Sequence, residues 1–280
     1  MNTFAIMIAA ITRKFYPRGT HRLLKFVFNP KKFKWQGVIT YDTNLRINID
    51  TSYNIERELF FKGHYYKCVT DIINKIVKSG DVILDIGANI GTRSLIMGKS
   101  VGHMGNVFAF EPHPDVFKRL NDNIKLNNFN NITTFPIALS DKTSTEELYS
   151  YIDDNRNSSL YPLNDIKGGE HSKIAVSTID SIVEEAKINR LNLIKINARG
   201  SDLLIIKGGE KSIIKFRPIV IFEYNKESWA HSGSKWHDAS DFFERNNHSL
   251  YLIRQEKTIF LNKNNPPPPI TSCDILAVPN

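Results

Sequence analysis

The segment VILDIGANIG, residues 82–91, constrains the fold of this 280-residue chain more than any other stretch. VILDI reads as a strand buried on both faces, and the apolar spacing from Thr92 to Lys99 reads as a helix, with a glycine turn between them. Gly87 permits a backbone turn that a side chain would obstruct, and Gly91 lets the helix start pack close to the strand. The amides at such a helix start favour a carboxylate or phosphate. The next strand, NVFAFEP (106–112), closes on Glu111, about 20 residues beyond the turn, where an acid takes ribose hydroxyls. The pair points to an adenosine-containing cofactor. A plain alternative for Glu111 is a solvated loop carboxylate before Pro112.

The pattern around this segment is alternating strand and helix. Helix DVFKRLNDNIKLN (115–127) and strand NITTFPIAL (131–139) follow. A less regular stretch, with strands near 147–151 and 173–177, surrounds a polar loop at 153–171. Order returns with helix 178–188, strand 191–197, helix 201–214, strand 218–225, helix 237–246 and strands 249–255 and 273–279. Apolar strands alternating with helices predict an α/β fold with a parallel sheet covered on both faces and right-handed crossovers. Ahead of it, GVITYDTNLRINID (37–50) reads as a two-stranded hairpin, and residues 53–79 as two short helices broken near Gly63. The expected division is an N-terminal segment, 1–50, and a catalytic domain, 51–280.

Composition separates few functions. Hydrophobic residues at 41% and charged residues at 24% are globular values. The net charge of +8 follows a Lys and Asn bias spread along the chain, except for a basic-aromatic stretch at 13–35, which is suited to an anionic polymer or a membrane surface. The apolar opening, NTFAIMIAAI, is too short to span a bilayer, which takes roughly 20 residues. Its cations also follow the apolar run, unlike those of a signal peptide. Cys68 and Cys273 show no metal or redox spacing, so no metal is expected and a reduced, cytoplasmic setting fits, peripheral to membrane through 13–35.

The turn is GANIG rather than the three-glycine dinucleotide fingerprint, and the chain ends in a helix and two strands, as an antiparallel finish to a seven-stranded sheet requires. Both favour a methyl donor over a nicotinamide. With its stretches GDVILDIGANIGTRSL (80–95), VFAFEPHPDVFKRLNDNIKLNN (107–128), IALSD (137–141), STIDSI (177–182), LIKINARGSDLLIIKGGE (193–210) and PIVIFEYN (218–225), the chain resembles the FkbM family of S-adenosylmethionine-dependent methyltransferases over roughly residues 50–279. The resemblance implies a Rossmann-like, seven-stranded, mostly parallel sheet with helices on both faces. It also implies S-adenosylmethionine as cofactor and O-methylation of a sugar, glycan or small metabolite. By that likeness Asp85, Gly87, Ala88, Asn89 and Gly91 surround the methionine end. Glu111, followed by Pro112, holds the ribose, and Ala138, Leu139 and Ser140 approach the adenine.

The likeness breaks at one place. Family members carry Lys-Ile-Asp-Val-Glu-Gly at the end of the fourth strand, whereas this chain reads Lys195, Ile196, Asn197, Ala198, Arg199, Gly200. An amide replaces a proton acceptor and a cation replaces an anion. Lys195, Asn197 and Glu223 are the expected acceptor-side residues, at the carboxyl ends of the fourth and fifth strands. His64, His113 or Glu223 are the candidate bases, and Arg199 is suited to an anionic acceptor. Trp229 and Trp236 are read either as sugar-stacking rings or as loop anchors, and the 153–171 loop as a cover over the acceptor. Two other readings remain: a catalytically impaired protein of this fold with a binding or assembly role, and an RNA 2′-O-methyltransferase drawing on the basic segment.

Overall fold

The computed structural model describes residues 34–42, 44–151, 158–162, 169–254, 257–268 and 272–280, together with Ala9. The expectations attached to the apolar opening and to residues 13–33 lie outside them, as do those for much of the 153–171 loop.

The hairpin forms as its alternation predicts, with β1 (Gln36–Tyr41) antiparallel to β2 (Leu45–Asp50). Its inward residues Tyr41, Leu45, Ile47 and Ile49 are buried in the same core as Leu59 and Phe60 of α1 (Asn54–Lys62) and Val69 and Ile73 of α2 (Lys67–Ile76). Gly63 ends α1 in the left-handed region, its N–H donating to the Leu59 carbonyl at 2.9 Å.

The remaining elements run β3 (Val82–Ile86), α3 (Thr92–Val101), β4 (Asn106–Phe110), α4 (Pro114–Leu126) and β5 (Ile132–Phe135). Next come β6 (Ala138–Leu139), β7 (Ser144–Tyr151), β8 (Ser158–Ser159), β9 (Gly169–Ser177) and α5 (Ile179–Glu185). The chain closes with β10 (Leu193–Ile196), α6 (Asp202–Lys207), α7 (Glu210–Phe216), β11 (Ile219–Tyr224), α8 (Lys226–His231), α9 (Trp236–Arg245), β12 (His248–Ile253), β13 (Thr258–Leu261) and β14 (Cys273–Pro279).

The main sheet has the order β13-β12-β14-β11-β10-β3-β4-β5. β5, β4, β3, β10 and β11 are parallel neighbours, and β14 lies antiparallel between β11 and β12. The seven expected strands are present in this α/β sheet, and β13 adds an eighth at the edge, antiparallel to β12. Side-chain alternation puts the two faces into separate cores. Ile83, Val107, Leu193, Ile221 and Leu276 pack under α1 to α4, while Leu84, Phe110, Ile194, Phe222 and Ile275 pack against α5 to α9.

Two predicted elements are divided. The strand expected over 131–139 stops at Phe135, because Pro136 offers no ladder donor, and Ala138–Leu139 instead pair with β9 in a second sheet of order β6-β9-β7-β8. The helix expected over 201–214 is two helices. A Cβ on Gly208 would lie 2.1 Å from the Ser140 carbonyl oxygen, and one on Gly209 2.9 Å from Ile179, so these glycines serve close packing. Among the described residues no helix is long and apolar enough to cross a membrane, and no His, Cys, Asp and Glu cluster suits a metal.

Candidate active site

The site begins with the turn between β3 and α3. Gly87 (φ 73°) sits where a Cβ would be 2.0 Å from the Asn197 carbonyl oxygen, so only glycine lets the turn lie against the end of β10. The N–H groups of Gly87 and Ala88 both donate to the Phe110 carbonyl at 3.0 Å, tying the turn to β4. Asn89 is left-handed (φ 52°), and its side-chain oxygen accepts from the Ile90 N–H at 2.8 Å. Gly91 (φ 93°) packs against Leu120 of α4, where a Cβ would approach to 2.8 Å. Its close contact is therefore with a helix rather than with the strand.

Glu111 follows the end of β4 and is only 6% exposed, which excludes the solvated-loop alternative. One carboxylate oxygen accepts the Asn89 N–H at 2.9 Å and the other the His113 N–H at 3.0 Å. Burial pushes its carboxyl up to about 7, against the pull of these two amides and of the Lys195 charge. Each oxygen keeps lone-pair capacity for a further donor.

Beneath the turn, Asp85 and Lys195 form an ion pair at 2.9 Å with both side chains almost wholly buried. Asp85 also accepts the Ser94 hydroxyl at 2.6 Å, and the Lys195 ammonium donates to the Gly87 carbonyl at 3.0 Å and, at 3.4 Å, to that of Ile86. β10 and β3 place these two residues directly opposite each other. Asp85 thus supports the turn from below.

A cavity lies over the carboxyl ends of β3, β4 and β10. Of the expected cofactor residues, Gly87, Ala88, Asn89, Glu111, Pro112, Ala138 and Leu139 line it, with Phe110 and Ile137 beside them. Asp85 and Gly91 underlie it, and Ser140 is turned away onto the α6–α7 corner, where its N–H donates to Ser177 at 2.9 Å. Of the expected acceptor-side residues, Lys195 and Asn197 line the cavity, as does Arg199, whereas Glu223, His64 and His113 do not. Ser158, Ser159 and Leu160 bring the described part of the 153–171 loop onto the same cavity, and the Ser159 hydroxyl donates to the Arg199 carbonyl at 3.4 Å.

Sequence reasoning missed three charged groups near this end of the sheet. Asp202, 1% exposed, accepts the Ala198 and Gly200 N–H groups at 3.3 and 3.2 Å and so shapes the turn after Asn197. Burial, followed by the nearby Glu223 charge, pushes its carboxyl up to about 7. Asp274 stands opposite Glu223 across the β11–β14 pairing, and burial pushes it up to about 6 against the Arg93 charge. Arg93, in the first turn of α3, is 7% exposed and lines the cavity. A cation in a first helical turn opposes the helix dipole, a signal that GTRSL carried in the sequence.

Neither tryptophan has a free face for a sugar. Trp229 is fully buried, its indole N–H donating to the Glu223 carbonyl at 3.1 Å. Trp236 is 8% exposed and donates to the Asn262 carbonyl at 3.3 Å, so both anchor loops.

Residues 85–250, more than half of the chain, match the family described as the methyltransferase FkbM domain. The chain is 28% identical over 148 residues to the hexuronic acid methyltransferase AglP of Haloferax volcanii, a match covering 49% of this chain and 55% of that protein. It thus spans about half the length of the curated relative it matches. Among solved structures, a methyltransferase FkbM from Methylobacillus flagellatus aligns with a TM-score of 0.46 at 17% identity, over 71% of this chain and 43% of that one. Fibrillarin from Aeropyrum pernix, with natively bound S-adenosyl-L-methionine, aligns with a TM-score of 0.45 at 12% identity, over 76% of this chain and 74% of that one.

Proposed function

Because the chain belongs to the FkbM methyltransferase family, we propose that it transfers a methyl group from S-adenosylmethionine to a hydroxyl of a sugar. The observation that carries this reading is the Glu111 carboxylate, buried beside the glycine turn with each oxygen held by one backbone amide. A carboxylate so fixed fits a ribose diol, the apolar wall of Phe110, Ile137 and Leu139 fits an adenine, and the Gly87 turn fits a chain passing close to backbone. The hexuronic acid named for the relative supports a sugar as acceptor.

When bound, S-adenosylmethionine supplies an electrophilic methyl group on a sulfonium centre. What this chain contributes is alignment and exclusion of water. Asn197 and Arg199, at the end of β10, and Ser158 to Leu160 of the loop wall the acceptor side. The Lys195 ammonium is committed to Asp85 and to the Gly87 carbonyl, so it positions the turn rather than accepting a proton. With Asn197 in place of a carboxylate and Glu223 outside the cavity lining, the hydroxyl proton passes to solvent.

The absence of a carboxylate at Asn197 favours a second reading, cofactor binding without transfer. Transfer of radiolabelled methyl groups from S-adenosylmethionine to a panel of neutral and acidic glycosides separates the two. The proposed function requires label in at least one sugar, increased by Asn197→Asp by about tenfold or more if that position restores a proton acceptor. No label with any sugar, from wild type or variant, supports the second reading.

A further inference from the structure

The Arg93 guanidinium is more than nine-tenths buried, lines the cavity, and has an Nε with no hydrogen-bond partner. Two rings flank it, its central carbon lying 5.3 Å from the centroid of Tyr65 and 5.8 Å from that of Tyr66, and its charge reaches the Asp274 carboxylate. Rings solvate a cation weakly compared with a carboxylate fork, and a buried guanidinium nitrogen left without a hydrogen bond is costly. The N-terminal turn of α3, which also favours an anion, carries this side chain. A planar fork of donors held open in a cavity matches a carboxylate in particular.

Which anion it meets follows from its place in the site. The Glu111 carboxyl responds to Lys195 and Asp85, whereas that of Asp274 responds to Arg93, Glu223 and Lys195. Glu111 follows β4 and Asp274 lies on β14, four places apart in the sheet, so Arg93, whose charge reaches Asp274, is placed on the β11–β14 side of the cavity, away from the ribose end. With Glu223 and Asp274 close by, a singly charged group suits that position better than a phosphate dianion.

Resting on the methyltransferase reading above, we propose that the acceptor carries a carboxylate and that Arg93 is the residue that recognises it. A uronic acid unit is the matching sugar chemistry, its carboxylate taking the fork while a ring hydroxyl faces the methyl group.

The test is calorimetric titration of wild type, Arg93→Gln and Arg93→Lys. Each is saturated with S-adenosylhomocysteine and titrated with p-nitrophenyl glucuronide, p-nitrophenyl galacturonide and the matching neutral glycosides. A uronide should bind wild type at least about tenfold more tightly than Arg93→Gln, with Arg93→Lys between them and neutral glycosides indifferent to the substitution. Affinity for S-adenosylhomocysteine should stay within about twofold in the variants, and their Tm should not fall steeply, because a buried guanidinium with an unsatisfied Nε is removed or loosened. Equal uronide binding by wild type and Arg93→Gln, or none by wild type, overturns the assignment. So does a loss of S-adenosylhomocysteine affinity with that for 5′-methylthioadenosine unchanged, which would give the guanidinium to the cofactor's own carboxylate. A steep fall in Tm in both variants would make Arg93 structural and equally overturn it. If wild type binds no S-adenosylhomocysteine, the methyltransferase reading itself has failed, and the titration shows this before any sugar is added.

Discussion

The Lys195 ammonium lies 2.9 Å from the Asp85 carboxylate, in register across β10 and β3 and shielded from solvent. This pair joins the glycine turn to the strand that leads into Asn197. Removing one partner leaves the other as an unpaired buried charge, so Lys195→Met is expected to cost about 3–5 kcal/mol of stability, measurable as a lower denaturation midpoint at unchanged slope. The double substitution Lys195→Met with Asp85→Asn should recover part of that loss. A single variant as stable as wild type would mean the pair is not formed.

Gly87 bears a positive φ and has no room for a Cβ against the Asn197 carbonyl. Gly87→Ala must either shift the turn away from β10 or strain it, at a cost of more than about 1 kcal/mol. Affinity for S-adenosylhomocysteine should fall with it. Gly233, also left-handed but facing open space, is the control: its alanine variant should lose backbone comfort without touching cofactor affinity.

Glu111 has a carboxyl raised to about 7, so the folded protein holds its proton more firmly than the unfolded chain. Its contribution to the stability of the unliganded protein is fullest in acid, below the unfolded carboxyl range, and is lost as pH rises through about 7. Ribose hydroxyls donate to the ionised form, so cofactor affinity should move the other way and strengthen from about pH 6 to about pH 8. Glu111→Gln should flatten the affinity profile and remove its own share of the stability profile, leaving that of Asp202, as thermal melts and titrations across that range would show. An affinity that is unchanged with pH in wild type would contradict the ribose role.

Trp229 is fully buried, with rings of Phe222 and Tyr224 at 6.1 and 4.9 Å between centroids. Trp229→Ala is expected to cost about 3–5 kcal/mol in denaturation, as a core truncation does. Sugar binding lost at full stability would restore the ring-stacking reading that its burial argues against.

The strand-turn-helix segment was legible because each of its residues is locally constrained: a buried run, two glycines with positive φ, and an acid at ribose distance. The mostly parallel sheet and its antiparallel end followed from the same alternation, whereas the order of the strands did not. Less legible was anything set by contacts between distant segments. Residues 131–139 read as one apolar strand, but Pro136 ended its ladder and sent Ala138 to β9. The helix at 201–214 read as continuous, yet Gly208 had to meet Ser140, about 70 residues earlier. Lys195 stood at the right strand end for the acceptor side, but no sequence spacing announced its pairing with Asp85, 110 positions before it. Arg93 was readable as a cation in a first helical turn, but only its burial shows that it faces the cavity.

The Glu111 and Gly87 turn is proposed to hold the adenosine end of S-adenosylmethionine. Titration calorimetry of S-adenosylhomocysteine into wild type and Glu111→Ala tests it without knowledge of the acceptor. Wild type should show saturable one-site binding, weakened by at least about tenfold in a variant that still melts cooperatively. A well-folded wild type that binds nothing, or a Glu111→Ala protein that binds as tightly, would contradict it.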